Sequence, residues 1–243
     1  MVSSERGRHC CSRIKYEDVS EVENPKDEKN EITREELIEF EKFSKDLGIL
    51  DISYLNNIDE SGFKSVILLS AELDQIIIDT PSGEEAKKYN LEFCQNFGNL
   101  TYEISDYLRN LGFKTKVAHP DEDLIDFSTL AEKASMGVIG KSGLLIGPTF
   151  GPKQKISGIL VNIENLPEPG ENPYLWAKNY CFKCNRCIAF CQKQAFIGNR
   201  IEVKVDESRC SEMSEGCTDC IRVCPFYKKG YSNTIKKYNK MKK

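Results

Sequence analysis

Over the first thirty residues apolar positions are isolated among charges, ending in Glu-Asn-Pro-Lys-Asp-Glu-Lys-Asn. Such a stretch cannot bury enough apolar surface to fold alone, so residues 1–30 are expected to form a disordered polar N-terminus. The pattern changes at Thr33. Thr33-Arg-Glu-Glu36 has the form of a capping box, and Leu37, Ile38, Phe40, Phe43 and Leu47 recur at helical spacing before Gly48. Ser-Val-Ile-Leu-Leu-Ser at 65–70 is a short continuous apolar run of the kind buried strands show. Periodicity leaves 73–79 open between strand and helix. From Gly83 to Asn110 a long amphipathic helix is predicted, with Tyr89, Phe93, Phe97, Leu100, Ile104, Tyr107 and Leu108 on its apolar side and Leu111-Gly112 as its stop. Residues 114–118 predict a strand, 127–135 a helix and 156–163 a further strand. Helices alternating with apolar strands suggest an α/β layer domain over 31–166. Pro167, Pro169, Gly170 and Pro173 mark the linker that opens a cysteine-rich module over 167–228. Residues 229–243 form a basic tail in which lysines alternate with Tyr231 and Tyr238. It is expected to be solvated, with contact to an acidic protein or RNA as the sharper alternative.

Composition changes this picture little. The 243 residues suffice for one ordinary domain plus a small module, and a net charge of −4 gives no global case for nucleic-acid binding. No stretch approaches ~18 consecutive apolar residues, so no membrane span is expected. Abundant thiols without an export signal point to a reducing, anaerobic cytoplasm.

The cysteines change it most. Eight of the eleven fall in two clusters: Cys181, Cys184, Cys187 and Cys191, then Cys210, Cys217, Cys220 and Cys224, the last followed by Pro225. A C-x2-C-x2-C-x3-C run is the bacterial ferredoxin spacing, in which the fourth cysteine ligates the other cluster. Applied here, Cys181, Cys184, Cys187 and Cys224 hold one [4Fe-4S] cluster, and Cys191, Cys210, Cys217 and Cys220 hold a second. Zinc has no use for third and fourth thiols packed so closely behind the first two. A disulfide framework belongs to small secreted domains. One irregularity stands out: Ser214 occupies the place of a ferredoxin cysteine, and Cys210 must reach in from a longer loop. Cys10 and Cys11 read as incidental or metal-scavenging. Cys94 reads as a buried free thiol.

Met-Gly-Val-Ile-Gly-Lys-Ser-Gly at 136–143 invites a phosphate-loop reading, but only Val138 and Ile139 separate Gly137 from Gly140, where a Walker loop needs four residues. Taken in order, Leu-Gly-Phe-Lys-Thr-Lys-Val from 111, this Gly-Lys segment, Phe150-Gly-Pro, Ile159-Leu-Val-Asn and two ferredoxin motifs resemble the corrinoid iron–sulfur reductases, namely the epoxyqueuosine reductases and reductive dehalogenases. An isolated cysteine upstream of C-x2-C-x3-C-P is similar in that family. The resemblance covers about Leu111 to Phe226.

It implies a nitroreductase-like α/β layer domain carrying cobalamin without a protein ligand to cobalt, followed by a small ferredoxin-like double-cluster module that delivers electrons to it. On the same ground Gly137, Gly140, Lys141, Ser142 and Gly143 would line the corrinoid, with Lys141 holding a developing anion. Tyr89 or Asp121 would be the proton donor. The plainer reading of Tyr89 is core packing, and of Asp121 a solvated acidic turn. His119 reads as a loop residue. The function implied is a cytoplasmic oxidoreductase fed by a ferredoxin or flavodoxin. The alternatives are an electron-transfer protein that reduces a partner's cofactor and a structural iron–sulfur module of a larger assembly.

Overall fold

Helix α1 (Arg34–Asp46) starts where the sequence places its cap: the Thr33 hydroxyl accepts from the Glu36 N–H, and the Glu36 carboxylate accepts from the Thr33 N–H at 2.9 Å. The structure, a computed structural model, describes residues 18–49, 51–58, 62–119, 125–198 and 203–241. After α1 come β1 (Asp51–Leu55), β2 (Ser65–Glu72), α2 (Gln75–Asp79), α3 (Glu84–Asn110), β3 (Thr115–Ala118) and α4 (Phe127–Lys133). A small hairpin, β4 (Val138–Ile139) with β5 (Leu145–Ile146), precedes β6 (Gln154–Val161).

Four strands form one sheet in the order β1-β2-β6-β3, with every pairing antiparallel. The alternation of helix and strand along the chain therefore builds a mixed α and β fold without parallel pairing. Strand period explains the apolar run in β2. Ile67 and Leu69 face Phe40 of α1 and Phe97, Ile104 and Leu108 of α3, whereas Val66 and Leu68 face Phe127, Leu130 and Ala131 of α4. With helices on both faces, all four of these β2 side chains are fully buried, and at about 25 cal/mol per Å² of apolar area this sheet is the principal store of hydrophobic stabilisation.

Several expectations are refined. The undecided stretch 73–79 resolves to the helical alternative, since β2 ends at Glu72 and α2 begins at Gln75. β1 gave no sequence signal, because it is short and Asp51 and Ser53 interrupt its apolar residues. From Asp18 the segment expected to be disordered is a strap bound across the sheet domain. Asn24 donates to the Thr115 carbonyl and accepts from its N–H, covering the free edge of β3, and the Arg109 guanidinium donates to the Val22 carbonyl at 2.7 Å.

The cysteine module comprises α5 (Trp176–Cys184), α6 (Arg186–Phe190), the β7 (Phe196–Gly198) and β8 (Val203–Val205) ribbon, α7 (Glu212–Glu215), α8 (Asp219–Arg222), α9 (Pro225–Lys228) and α10 (Tyr231–Met241). Residues 231–241 of the basic tail are thus a helix. Lys229, Lys236, Lys237 and Lys240 are exposed as expected, but Thr234 and Tyr238 are buried. Tyr238 joins Trp176, Tyr180, Phe226 and Tyr231 in an aromatic layer with ring centroids 5.1–6.4 Å apart. Ile221 packs on Leu73, Ile77 and Ile78 of the sheet domain. Gly216, at φ +64°, lies so close to α3 that a Cβ would stand 2.4 Å from the Ala86 carbonyl carbon. No helix among the described residues is long and apolar enough to cross a membrane.

Candidate metal centres

All eight module cysteines are free thiols, and they line two adjoining cavities. Cys181, Cys184, Cys187 and Cys224 line a narrow, largely apolar cavity with Ile146, Tyr180 and Phe226. Cys191, Cys210, Cys217 and Cys220 line a second cavity of about 200 Å³, with polar neighbours Lys193, Glu215 and Asp219. Cys220 borders both cavities. The division follows from local backbone. Asn185, left-handed at φ 53°, reverses the chain between α5 and α6 so that Cys181, Cys184 and Cys187 surround one space. Cys191 leaves α6 at its C-cap and falls in the other cavity. Cys224 sits at the N-cap of α9, ahead of Pro225 at the first helical position, and returns to the first. Cys210 reaches the second cavity, whereas Ser214 is exposed on α7.

Burial pushes the thiols of Cys181, Cys187 and Cys224 up. Cys187 rises to about 11 through desolvation and the neighbouring Cys181. Cys224 rises to about 12 through desolvation, although the Phe226 and Tyr227 N–H groups act against it. Cys181 is raised by desolvation and held back by the Lys141 N–H, which donates to its sulfur at 3.2 Å. The Ala195 N–H donates to Cys191 Sγ at 3.4 Å. Cys187 and Cys224 are therefore neutral at pH 7, and any role as thiolate ligands requires the loss of their protons. Among the described residues no three His, Cys, Asp or Glu side chains are placed to hold a single metal ion. The first space is the tighter.

The Gly-Lys segment is the turn of the β4–β5 hairpin, with the Gly143 N–H donating to the Gly140 carbonyl at 2.9 Å. It lies against the first quartet. Lys141 Nζ donates to the Phe182 carbonyl at 2.8 Å and to Asn185 Oδ1 at 2.6 Å, and stands 4.8 Å from the Phe182 ring centroid. Ser142 borders the first cavity. A Cβ on Gly137 would meet the Ile146 carbonyl oxygen at 2.4 Å, and one on Gly140 would meet the Ile146 side chain at 2.7 Å with Cys181 Sγ at 3.6 Å. Close backbone packing is what these glycines permit here.

Tyr89 is half-buried on α3, packed against the cluster of Leu73, Ile77, Ile78 and Ile221, and its hydroxyl is 3.1 Å from Glu85 Oε1. The Glu85 carboxylate holds its pKa above the usual value, by hydrogen bond and by charge. Asp121, Cys10 and Cys11 lie outside the described residues. His119 lies just past β3 and in no helix or strand, as expected of a loop residue, yet it is buried: a Cβ on Gly98 of α3 would come within 2.3 Å of its Nε2. Cys94 is corrected: it is buried as expected, but disulfide-bonded and not free. Sequence reasoning missed Asn185 as hinge and Lys141 acceptor, and the aromatic layer, whose only signal was Trp176 and Tyr180 at i, i+4.

No family profile matches the chain. Over 193 residues it is 27% identical to a tetrachloroethene reductive dehalogenase of Dehalobacter restrictus, covering 69% of this chain and 34% of that protein. Over 147 residues it is 31% identical to an epoxyqueuosine reductase of Aliivibrio fischeri, covering 52% and 36%. The chain thus spans about a third of the length of these relatives. A solved reductive dehalogenase, described as suggesting a mechanism for B12-dependent dehalogenation, shares the fold at a TM-score of 0.66 and 11% identity, over 82% of this chain and 33% of that one.

Proposed function

Because the chain belongs with the reductive dehalogenases and epoxyqueuosine reductases, we propose that it is an oxidoreductase carrying two [4Fe-4S] clusters, with a corrinoid as the acceptor of their electrons. The division of eight thiols into two adjoining cavities, with Cys191 and Cys224 exchanged between the runs, is the observation that carries the cluster assignment. Cys181, Cys184, Cys187 and Cys224 would hold one cluster, and Cys191, Cys210, Cys217 and Cys220 the other. When bound, such clusters supply one-electron carriers whose potentials depend on hydrogen bonds to sulfur, charge and exposure. The chain provides those controls: N–H donors at Cys181 and Cys191, the Lys141 ammonium beside the first loop, and a drier first cavity than second.

The corrinoid rests on the family. Gly137, Gly140 and Lys141, expected to line it, are occupied by the Ile146 strand and the first cysteine loop, and so fit a role in the first quartet better than a corrinoid floor. That engagement favours a second reading, an electron-transfer protein whose acceptor cofactor belongs to a partner. In the first reading the exposed Tyr89 hydroxyl is the proton donor within the described residues.

Anaerobic reconstitution with iron and sulfide followed by corrinoid titration separates the two. Roughly eight irons per chain are expected from the ligand set. Binding at micromolar corrinoid with a base-off absorption change supports the first reading. Absence of binding leaves the carrier, and zinc in place of iron overturns both.

A further inference from the structure

Resting on the two-cluster reading, we propose that the lysine face of α10, with the lysines just before it, is the docking surface for an acidic one-electron carrier protein that reduces the first quartet's cluster. The chain is electrically divided. Residues 176–243 hold fifteen Lys and Arg against six Asp and Glu, a net +9, whereas residues 1–175 hold nineteen against thirty-two, a net −13. Half of the module's acids are already taken, with Glu215 paired to Lys193, Asp206 to Arg209 and Asp219 to Arg222. Beyond Asp219 there is no acidic residue to the end of the sequence. Lys228, Lys229, Lys236, Lys237 and Lys240 are all exposed and form no ion pair among the described residues. A surface of one sign on an otherwise acidic chain attracts and orients an acidic partner.

Placement ties this surface to electron transfer. The inward side of α10 presents Tyr238 to Trp176 and Tyr180, in the same layer that Cys181, Cys184 and Cys224 border. A protein seated on the lysines is thus separated from the first quartet by about one helix diameter, ~10 Å, plus that aromatic layer.

Two observations favour a protein over RNA. From 223 onward the basic residues are all lysine, a compact charge suited to steering, while arginine supplies the bidentate grip on phosphate. The aromatics of α10 that could stack on bases are turned inward, Tyr238 being 7% exposed and Tyr231 half-buried.

The test uses the full reconstituted chain and photoreduced flavodoxin, an acidic carrier. One electron leaves its hydroquinone, which becomes the blue semiquinone, and one cluster gains it. K236Q/K237Q/K240Q removes three charges at little cost in helix propensity. At low salt the second-order rate with flavodoxin should fall roughly ten-fold and its salt dependence should flatten. Reduction by the cationic methyl viologen radical should hold or quicken, which damage to the fold or clusters would not produce. Iron content measured beside it must match the parent chain. An unchanged flavodoxin rate, or an equal loss with both reductants, overturns the docking surface while leaving the clusters. Salt-sensitive binding of a tRNA stem-loop that the triple variant loses, with the flavodoxin rate intact, assigns the face to RNA and overturns it too. A parent chain without iron sinks the two-cluster reading itself and the docking surface with it.

Discussion

At the residue scale the informative position is Cys210. The spacing displaced it from the ferredoxin pattern and put Ser214 in its place, and the structure explains both: Cys210 borders the second cavity while Ser214 faces solvent on α7. Cys210→Ser should therefore reduce reconstituted iron from roughly eight to about four or fewer per chain. Adding Ser214→Cys should not restore it, since that side chain points away from the cavity. Iron assay with EPR of the dithionite-reduced protein checks this, and recovery of iron in the double variant would refute the ligand set. Lys141 was legible as a special residue but not in its contacts. Spacing announces a glycine–lysine turn, whereas its partners, Phe182 and Asn185, lie 41 and 44 positions on and become neighbours only once the hairpin folds onto α5. Gly216 gave no signal, because the need for a bare Cα arises from the approach of α3, an element far away in sequence.

At the scale of elements, what was legible depended on how locally each is determined. α1 and α3 announce themselves through caps and 3.6-residue periodicity, and β2 through a run of apolar residues that two helical layers later bury. β1 and the strap are determined by partners, an adjacent strand and a free sheet edge, and no local pattern marks them. α10 is intermediate. Its lysines dominate the composition and suggest a solvated tail, yet Thr234 and Tyr238, four apart, form a narrow apolar stripe that only Trp176, Tyr180 and Phe226 complete. Tyr238→Ala should cost about 3 kcal/mol, the usual price of truncating a buried aromatic ring. Limited proteolysis should then cut first within 231–241, with the Tm of the module lowered and that of the sheet domain little changed. Resistance equal to that of the parent chain would mean that the aromatic layer does not hold the helix.

At the scale of the molecule the two halves obtain their stability differently, and iron removal should separate them. The sheet domain owes its core to Phe40, Phe113, Phe127 and the strands between its helices, none of which depends on a metal. The module has short helices, a two-stranded ribbon and few buried apolar side chains, among them Ala177, Tyr180, Ile221, Val223 and Phe226. So small an apolar core is marginal without cross-links, and cluster binding then contributes directly to folding. With iron chelated, two sets of buried thiols line cavities that no bonds span, and the module has little left to oppose its chain entropy. Hydrogen exchange should accelerate across 176–241 on chelation while the β2 and β6 amides stay protected. The boundary should not fall at the proline linker alone. Gly83 donates to the Glu215 carbonyl at 2.7 Å, Asn90 to the Gly216 carbonyl at 3.3 Å, and Ile221 fills the space beside Ile77 and Ile78. Helix α2 and the first two turns of α3 should therefore loosen with the module, although they belong in sequence to the other half. Exchange that rises equally in β2 and β6 would show one cooperative unit, and an unchanged module would show that its fold does not need the clusters.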